Sequence, residues 1–184
     1  MLLDTWAFDP RDVDGVVVEL GDIDGYTEAG AVLSEDETYR YLLWRVWDPD
    51  KPTLTYIMCN PSVGRGTKND RTLDRCTSIA QENGYGGFVA GNLFARRTPH
   101  HETLSEDDDP IGPENDRFLQ ALCAEAETVV AAWGGIGEKF GRPEAVVTML
   151  DVEFYVIHEN RDGTPRHPLY AKQHVGLTRW NCDS

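Results

Sequence analysis

Short apolar runs, separated by polar breaks rich in glycine and proline, recur along the whole chain. Val16–Leu20 reads as a short strand. Tyr39-Arg-Tyr-Leu-Leu-Trp-Arg-Val-Trp47 is aromatic and β-branched with partial alternation, the period of a strand. Asp48-Pro-Asp-Lys-Pro52 reads as a turn, because Pro and Asp preset its backbone. Leu54–Cys59 follows as a second strand, so residues 39–59 are expected to form a hairpin. Beyond it the period changes. A helix over Asp70–Asn83, capped by Asn69 or Asp70, puts Leu73, Cys76, Ile79 and Ala80 on one face. Gly84-Tyr-Gly-Gly87 stops it, and Phe88–Leu93 is a short apolar strand. A long loop over 95–113 leads to a helix over Glu114–Ala126, with Phe118, Leu119 and Leu122 facing inward. A strand at Val129–Trp133, a helix near Pro143–Leu150 and a strand at Phe154–Ile157 complete the pattern. Strands alternating with helices predict β-α-β crossovers, hence an α/β fold around a central, mainly parallel sheet with an N-terminal β-hairpin extension.

Length adds that this is one domain, since 184 residues with 40% apolar content suit a single buried core. No apolar run approaches the ~20 residues of a membrane span. Met1-Leu-Leu-Asp-Thr-Trp6 lacks the basic start of a secretory signal, so a cytoplasmic protein without a membrane partner is expected. The four cysteines (Cys59, Cys76, Cys123, Cys182) have no zinc-ligand spacing and read as reduced thiols, mostly core filler.

Charge changes the picture more. The net charge is −15, built from 18 Asp and 14 Glu against 13 Arg and only 4 Lys. Excess carboxylate with scarce lysine is the composition of a protein kept soluble in molar salt, and it points to a halophilic source. A Debye length of about 3 Å at 1 M salt makes such self-repulsion tolerable. Residues 1–59 carry −9 and 102–160 carry −11, whereas 60–101 carry +3 and 161–184 carry +2. The chain therefore has no broad basic face for nucleic acid. Its two cationic stretches hold its most distinctive motifs.

Each such motif follows a strand, and the carboxyl edge of a parallel sheet is where ligands bind. Cys59-Asn-Pro-Ser62, with Gly64 and Gly66, presents the Asn60 amide to a water or substrate N–H, and Ser62 with the glycine amides to an anion. The same string also reads as a plain Asn-Pro turn. Asn92 interrupts an apolar strand, Phe94 follows it, and Arg96 and Arg97 offer forked donors suited to phosphate. His100 and His101 read as solvent-facing rather than metal-binding. Trp133-Gly134-Gly135 allows close backbone approach to a ligand, or is a strand-to-helix turn. In Arg166-His-Pro-Leu-Tyr170, His167 is a candidate electrophile or general acid. Asp70 and Asp74 read as helix-start residues and Asp107–Asp109 as a solvated loop. Neither a cofactor nor a metal is expected.

Two resemblances attach to these residues. Met58-Cys-Asn-Pro-Ser62, Asp70-Arg-Thr-Leu-Asp-Arg75, Gly84-Tyr-Gly-Gly87, Asn92-Leu-Phe-Ala95, Gly112-Pro-Glu-Asn115, Ala131-Ala-Trp-Gly134 and Gly163–Tyr170 resemble, in order, a domain family of unknown function from bacteria, archaea and phages. That resemblance divides the single domain 1–184 into an extension (1–35), a family core (36–172) and a tail (173–184). The motif order is also similar to the uracil-DNA glycosylase superfamily, which implies a three-layer fold of that type. In that likeness Asn60 would position water, Asn92 would read the base edge and His167 would stabilise the departing base anion. Arg96, Arg97 and Arg166 would lie near phosphate, Trp133-Gly134 would match a strand-end turn, and Tyr170 or Phe94 would stack on the base. The sequence departs after Asn60-Pro61, and Leu169-Tyr170 replaces a Ser-Pro-like continuation. The likeness implies a nucleobase or nucleotide ligand, DNA reached only through a small cationic pocket, and N-glycosidic-bond hydrolysis. The alternative is a non-catalytic ligand-binding or interaction module using the same sheet edge.

Overall fold

Apart from the two outermost, the strands of this computed structural model, which describes residues 1–62, 68–100, 104 and 109–181, are buried along most of their length. They are β1 (Val16–Gly21), β2 (Glu28–Ser34), β3 (Arg40–Val46), β4 (Thr53–Met58), β5 (Gly87–Asn92), β6 (Val129–Ala131), β7 (Phe154–Val156) and β8 (Thr178–Arg179). Three α-helices connect them: α1 (Arg71–Glu82), α2 (Asn115–Ala124) and α3 (Arg142–Leu150). All eight strands form one sheet in the order β1-β2-β3-β5-β4-β6-β7-β8. In its middle β5, β4, β6 and β7 pair in parallel, while the β1–β2, β2–β3, β3–β5 and β7–β8 pairs are antiparallel. The fold is mixed α/β with a partly parallel sheet, and the parallel part is the part that carries crossover helices.

Alternation decides which helix each strand residue meets. Leu54, Tyr56 and Met58 of β4 and Val130 of β6 cluster with Leu73, Cys76, Ile79 and Ala80 of α1. Ile57, Val129, Ala131, Phe154 and Val156 cluster instead with Leu119 and Cys123 of α2 and Val146 and Leu150 of α3. A fully buried Leu or Ile of this kind stabilises the fold by about 1.5–3 kcal/mol. Helix α1 starts where Asp70 accepts the backbone N–H groups of Thr72 and Leu73, the side-chain cap that its sequence implies. Near the N-terminus, Leu3 and Val13 join Leu42, Trp44 and Phe118 in a third cluster over the antiparallel wing.

The expected hairpin over 39–59 does not form. Strand β5 lies between β3 and β4, antiparallel to the first and parallel to the second. Every residue of β5 is buried, as suits a strand inside a sheet. Room for its entry comes from glycine. A Cβ at Gly86 would stand 2.0 Å from the Asp48 carbonyl oxygen, and one at Gly87 would stand 2.8 Å from that of Arg45. The Gly86 carbonyl accepts from Trp47 and Asp48, and its N–H donates to Pro52. Strand β2 also lacks a strong strand signature, because Gly30 interrupts it. That glycine faces Trp44, whose Cζ2 would lie 2.2 Å from an added Cβ.

Candidate functional site

Because β4, β5, β6 and β7 are parallel, Asn60, Asn92, Trp133 and the segment after β7 all leave the sheet at one edge. The chain passes from β4 through α1 to β5 on one side of β4, then through α2 to β6 on its other side. This reversal makes the crevice beyond β4 and β6 a topological switch point, the preferred ligand position in such sheets. A cavity of about 440 Å³ opens there, within the range of small-molecule sites. Cys59 and Asn60 line it from just beyond β4, Trp133 and Ile136 from the segment after β6, and Asn160, His167 and Tyr170 from the segment after β7.

Hydrogen bonds position three of the polar side chains on this cavity, Asn60, Asn160 and His167. The Asn60 Nδ2 donates to the Thr98 carbonyl at 3.0 Å and to the Pro61 carbonyl at 3.2 Å. Two carbonyl partners fix which end of the amide carries the nitrogen, so Oδ1 is the acceptor that remains. Asn160 is engaged at both ends, donating to Thr164 Oγ1 and accepting from Arg166 Nε, each at 2.9 Å. An Asp162-Gly163 turn, with the Thr164 N–H and hydroxyl on Asp162 Oδ1, folds this segment back so that His167 reaches the sheet edge.

His167 caps the short 3-10 turn Pro168–Tyr170: its Nδ1 accepts the Leu169 N–H at 3.3 Å. An accepting Nδ1 puts the proton of the neutral ring on Nε2, making that atom a donor. Burial lowers the pKa of this imidazole, and the negative charge of Asp70 opposes the shift without reversing it. Gly134, at φ +71°, lets β6 approach closely, since a Cβ there would lie 3.2 Å from the His167 Cβ. The Tyr170 ring lies 6.0 Å from that of His167 and is largely exposed. Trp133 is buried, edge-on to Phe154 and Trp180 at 6.2 and 5.4 Å.

Asn60, His167 and Leu169 also line a second cavity, of about 280 Å³, together with Arg40, Ser62, Asp70, Thr72 and Thr98. There the Ser62 hydroxyl donates to Asp70 Oδ2 at 3.0 Å while Asp70 Oδ1 caps α1. Among the expected site residues, Asn60, Ser62, Trp133, Gly134, His167 and Tyr170 line one or both cavities. Asn92, Phe94, Arg96, Arg97 and Arg166 line neither. Phe94 belongs to the core, Arg97 bonds the Glu37 carbonyl and carboxylate, Arg166 holds Asn160, and Arg96 lies beside Tyr39. Asn92 is buried, and its Oδ1 has no hydrogen-bond partner among the described residues. Sequence reading missed Arg40, the lining role of Asp70, and Asn160. Arginines inside the apolar string 39–47 were the available signal, because a buried guanidinium is costly without a purpose.

Gly64, Gly66, His101, Asp107, Asp108 and Cys182 lie outside the described residues. Cys59, Cys76 and Cys123 are buried. Among the described residues no group of three His, Cys, Asp or Glu stands where it would hold a metal, and no helix is long and apolar enough to cross a membrane.

A family model described as a protein of unknown function (DUF1643) matches residues 40–169. No curated protein and no solved structure matches the chain.

Proposed function

The chain belongs to the DUF1643 family of proteins of unknown function, and for this member we propose a nucleobase-binding site that hydrolyses N-glycosidic bonds in DNA or modified nucleotides. One observation carries the reading: Asn60 and His167, distant in sequence, line the same two cavities with complementary hydrogen-bonding roles. Asn60 Oδ1 accepts from an attacking water, and His167 Nε2–H donates to the base as it leaves. The ring and aliphatic surfaces of Trp133, Ile136, Leu169 and Tyr170 suit a planar heterocycle held out of its stack. Water adds to the anomeric carbon as the C–N bond breaks. The bonding pair goes to the base, which finally takes the proton that the water gives up. Within this reading the sheet and its helices form a three-layer fold like that of the uracil-DNA glycosylases. Asn92 then keeps the place of the second strand-end amide in the sheet without lining either cavity.

The test is release of free base, followed by chromatography, from uracil-containing and modified oligonucleotides and from the corresponding nucleotides. Wild-type protein should release base, and Asn60→Ala and His167→Ala should each slow release by about 100-fold or more. Substrates left intact by wild-type protein would refute hydrolysis. A second reading, ligand binding without chemistry, is favoured by the absence of any carboxylate among the described residues lining the larger cavity. Binding that survives both substitutions, with no base released, would establish it.

A further inference from the structure

The two cavities share Asn60, His167 and Leu169 in their linings, yet their walls differ in character. Beyond those shared residues the larger is mostly aromatic and aliphatic, while the smaller carries Arg40, Ser62, Asp70 and Thr72. A ligand that places its heterocycle in the first and its glycosidic bond beside Asn60 and His167 brings its sugar side toward the second. The geometry points to the smaller cavity as the phosphate compartment of a nucleotide ligand, with Arg40 as the recognising cation. This rests on the nucleobase reading of the larger cavity.

Arg40, the first residue of β3, is 4% exposed and still lines the compartment. Among the described lining residues of both cavities it is the one arginine, and no lysine joins it. Burying a guanidinium is expensive, and its planar set of donors matches two oxygens of one phosphate. The charges that act on it are mixed: Arg97 and Arg45 oppose its protonation, Asp70 and Glu19 favour it. Burial, then Arg97, lowers its pKa to about 10, so it remains cationic at neutral pH and gains from a further anion. Asp70 is the one carboxylate among the described lining residues. Its oxygens are already committed, Oδ1 to the Thr72 and Leu73 N–H groups and Oδ2 to Ser62. Its charge serves the start of α1, and Arg40 supplies the arginine charge among the described lining residues.

Calorimetric titration at fixed ionic strength tests this with the four deoxynucleosides, their 5′-monophosphates, and single-stranded oligonucleotides of the same bases. A monophosphate or an oligonucleotide should bind about tenfold or more tighter than the matching nucleoside. Preference for the monophosphate assigns the phosphate to a free nucleotide, and preference for the oligonucleotide assigns it to a DNA backbone; either sustains the compartment. Arg40→Met should abolish the advantage and leave nucleoside affinity unchanged. Arg40→Lys, which keeps the charge but loses the fork, should reduce the advantage several-fold and covers the case in which Arg40→Met does not fold. Equal affinity of wild-type protein for nucleoside and phosphorylated ligands, or an advantage unchanged in the folded variants, overturns the proposal and leaves nucleobase binding intact. If no nucleoside, nucleotide or oligonucleotide binds, both readings fall.

Discussion

His167 illustrates how much one side chain's surroundings decide. Its Nδ1 is committed to the Leu169 N–H, and burial holds its pKa below the usual imidazole value of 6.5. Between that value and the lower folded one, the unfolded chain binds a proton that the folded chain refuses. Stability therefore rises with pH up to about 6.5 and is lost as pH falls below it. Thermal melts between pH 7.5 and 5.5 should show a steeper fall for the wild type than for His167→Gln, and parallel curves would disprove the assignment. Asn60 and Asn92 stand out in the sequence as amides at apolar strand ends, and His167 as a histidine beside proline after the last strand. Asn60 and His167 line the cavities and Asn92 does not. Arg40 does not stand out, because within Tyr39–Trp47 only the fold tells which arginine meets a cavity. Asp70 was legible as a cap but not as a lining residue, since both roles use the same strand-end loop.

Elements were legible when a single period ran for several turns. The apolar face of α1 (Leu73, Cys76, Ile79, Ala80) and that of α2 (Phe118, Leu119, Leu122) are buried where the sequence places them. Pairing was less legible. Turn residues at Asp48–Pro52 say that the chain reverses, not that the strands on either side touch. Insertion of β5 between β3 and β4 depends on Gly86 and Gly87, which in sequence serve equally well to stop a helix. Gly86→Ala should therefore damage the sheet rather than the helix. An added Cβ would press on the Asp48 carbonyl, a backbone atom that has no rotamer to escape through. A loss of about 2 kcal/mol or more is expected in urea denaturation. A change within about 0.5 kcal/mol, the range of an ordinary surface substitution, would show that β5 does not need this close approach.

Charge is a property of the whole molecule, and the fold sorts it by sign. The charged residues buried among the described ones are all arginines, Arg40, Arg45 and Arg142, with no carboxylate beside them in that class. The surface is consequently more anionic than the chain total of −15 implies. This sorting would reconcile an acidic protein with the proposed anionic ligand, because Arg40 is buried rather than set among the surface carboxylates. It also sets the response to salt. Repulsion among exposed carboxylates is screened as the Debye length falls from about 10 Å at 0.1 M to about 3 Å at 1 M, whereas a buried guanidinium is screened far less. Raising KCl from 0.1 to 2 M should therefore increase the melting temperature, by about 2–4 °C for each kcal/mol of repulsion relieved. Nucleotide affinity should fall less steeply with salt than it would for a protein that binds through an exposed basic face. A melting temperature that is flat or falling with KCl would mean that the carboxylates are not arranged for high salt. Their excess would then reflect composition alone, and the arginines buried beneath them would need a structural explanation of their own.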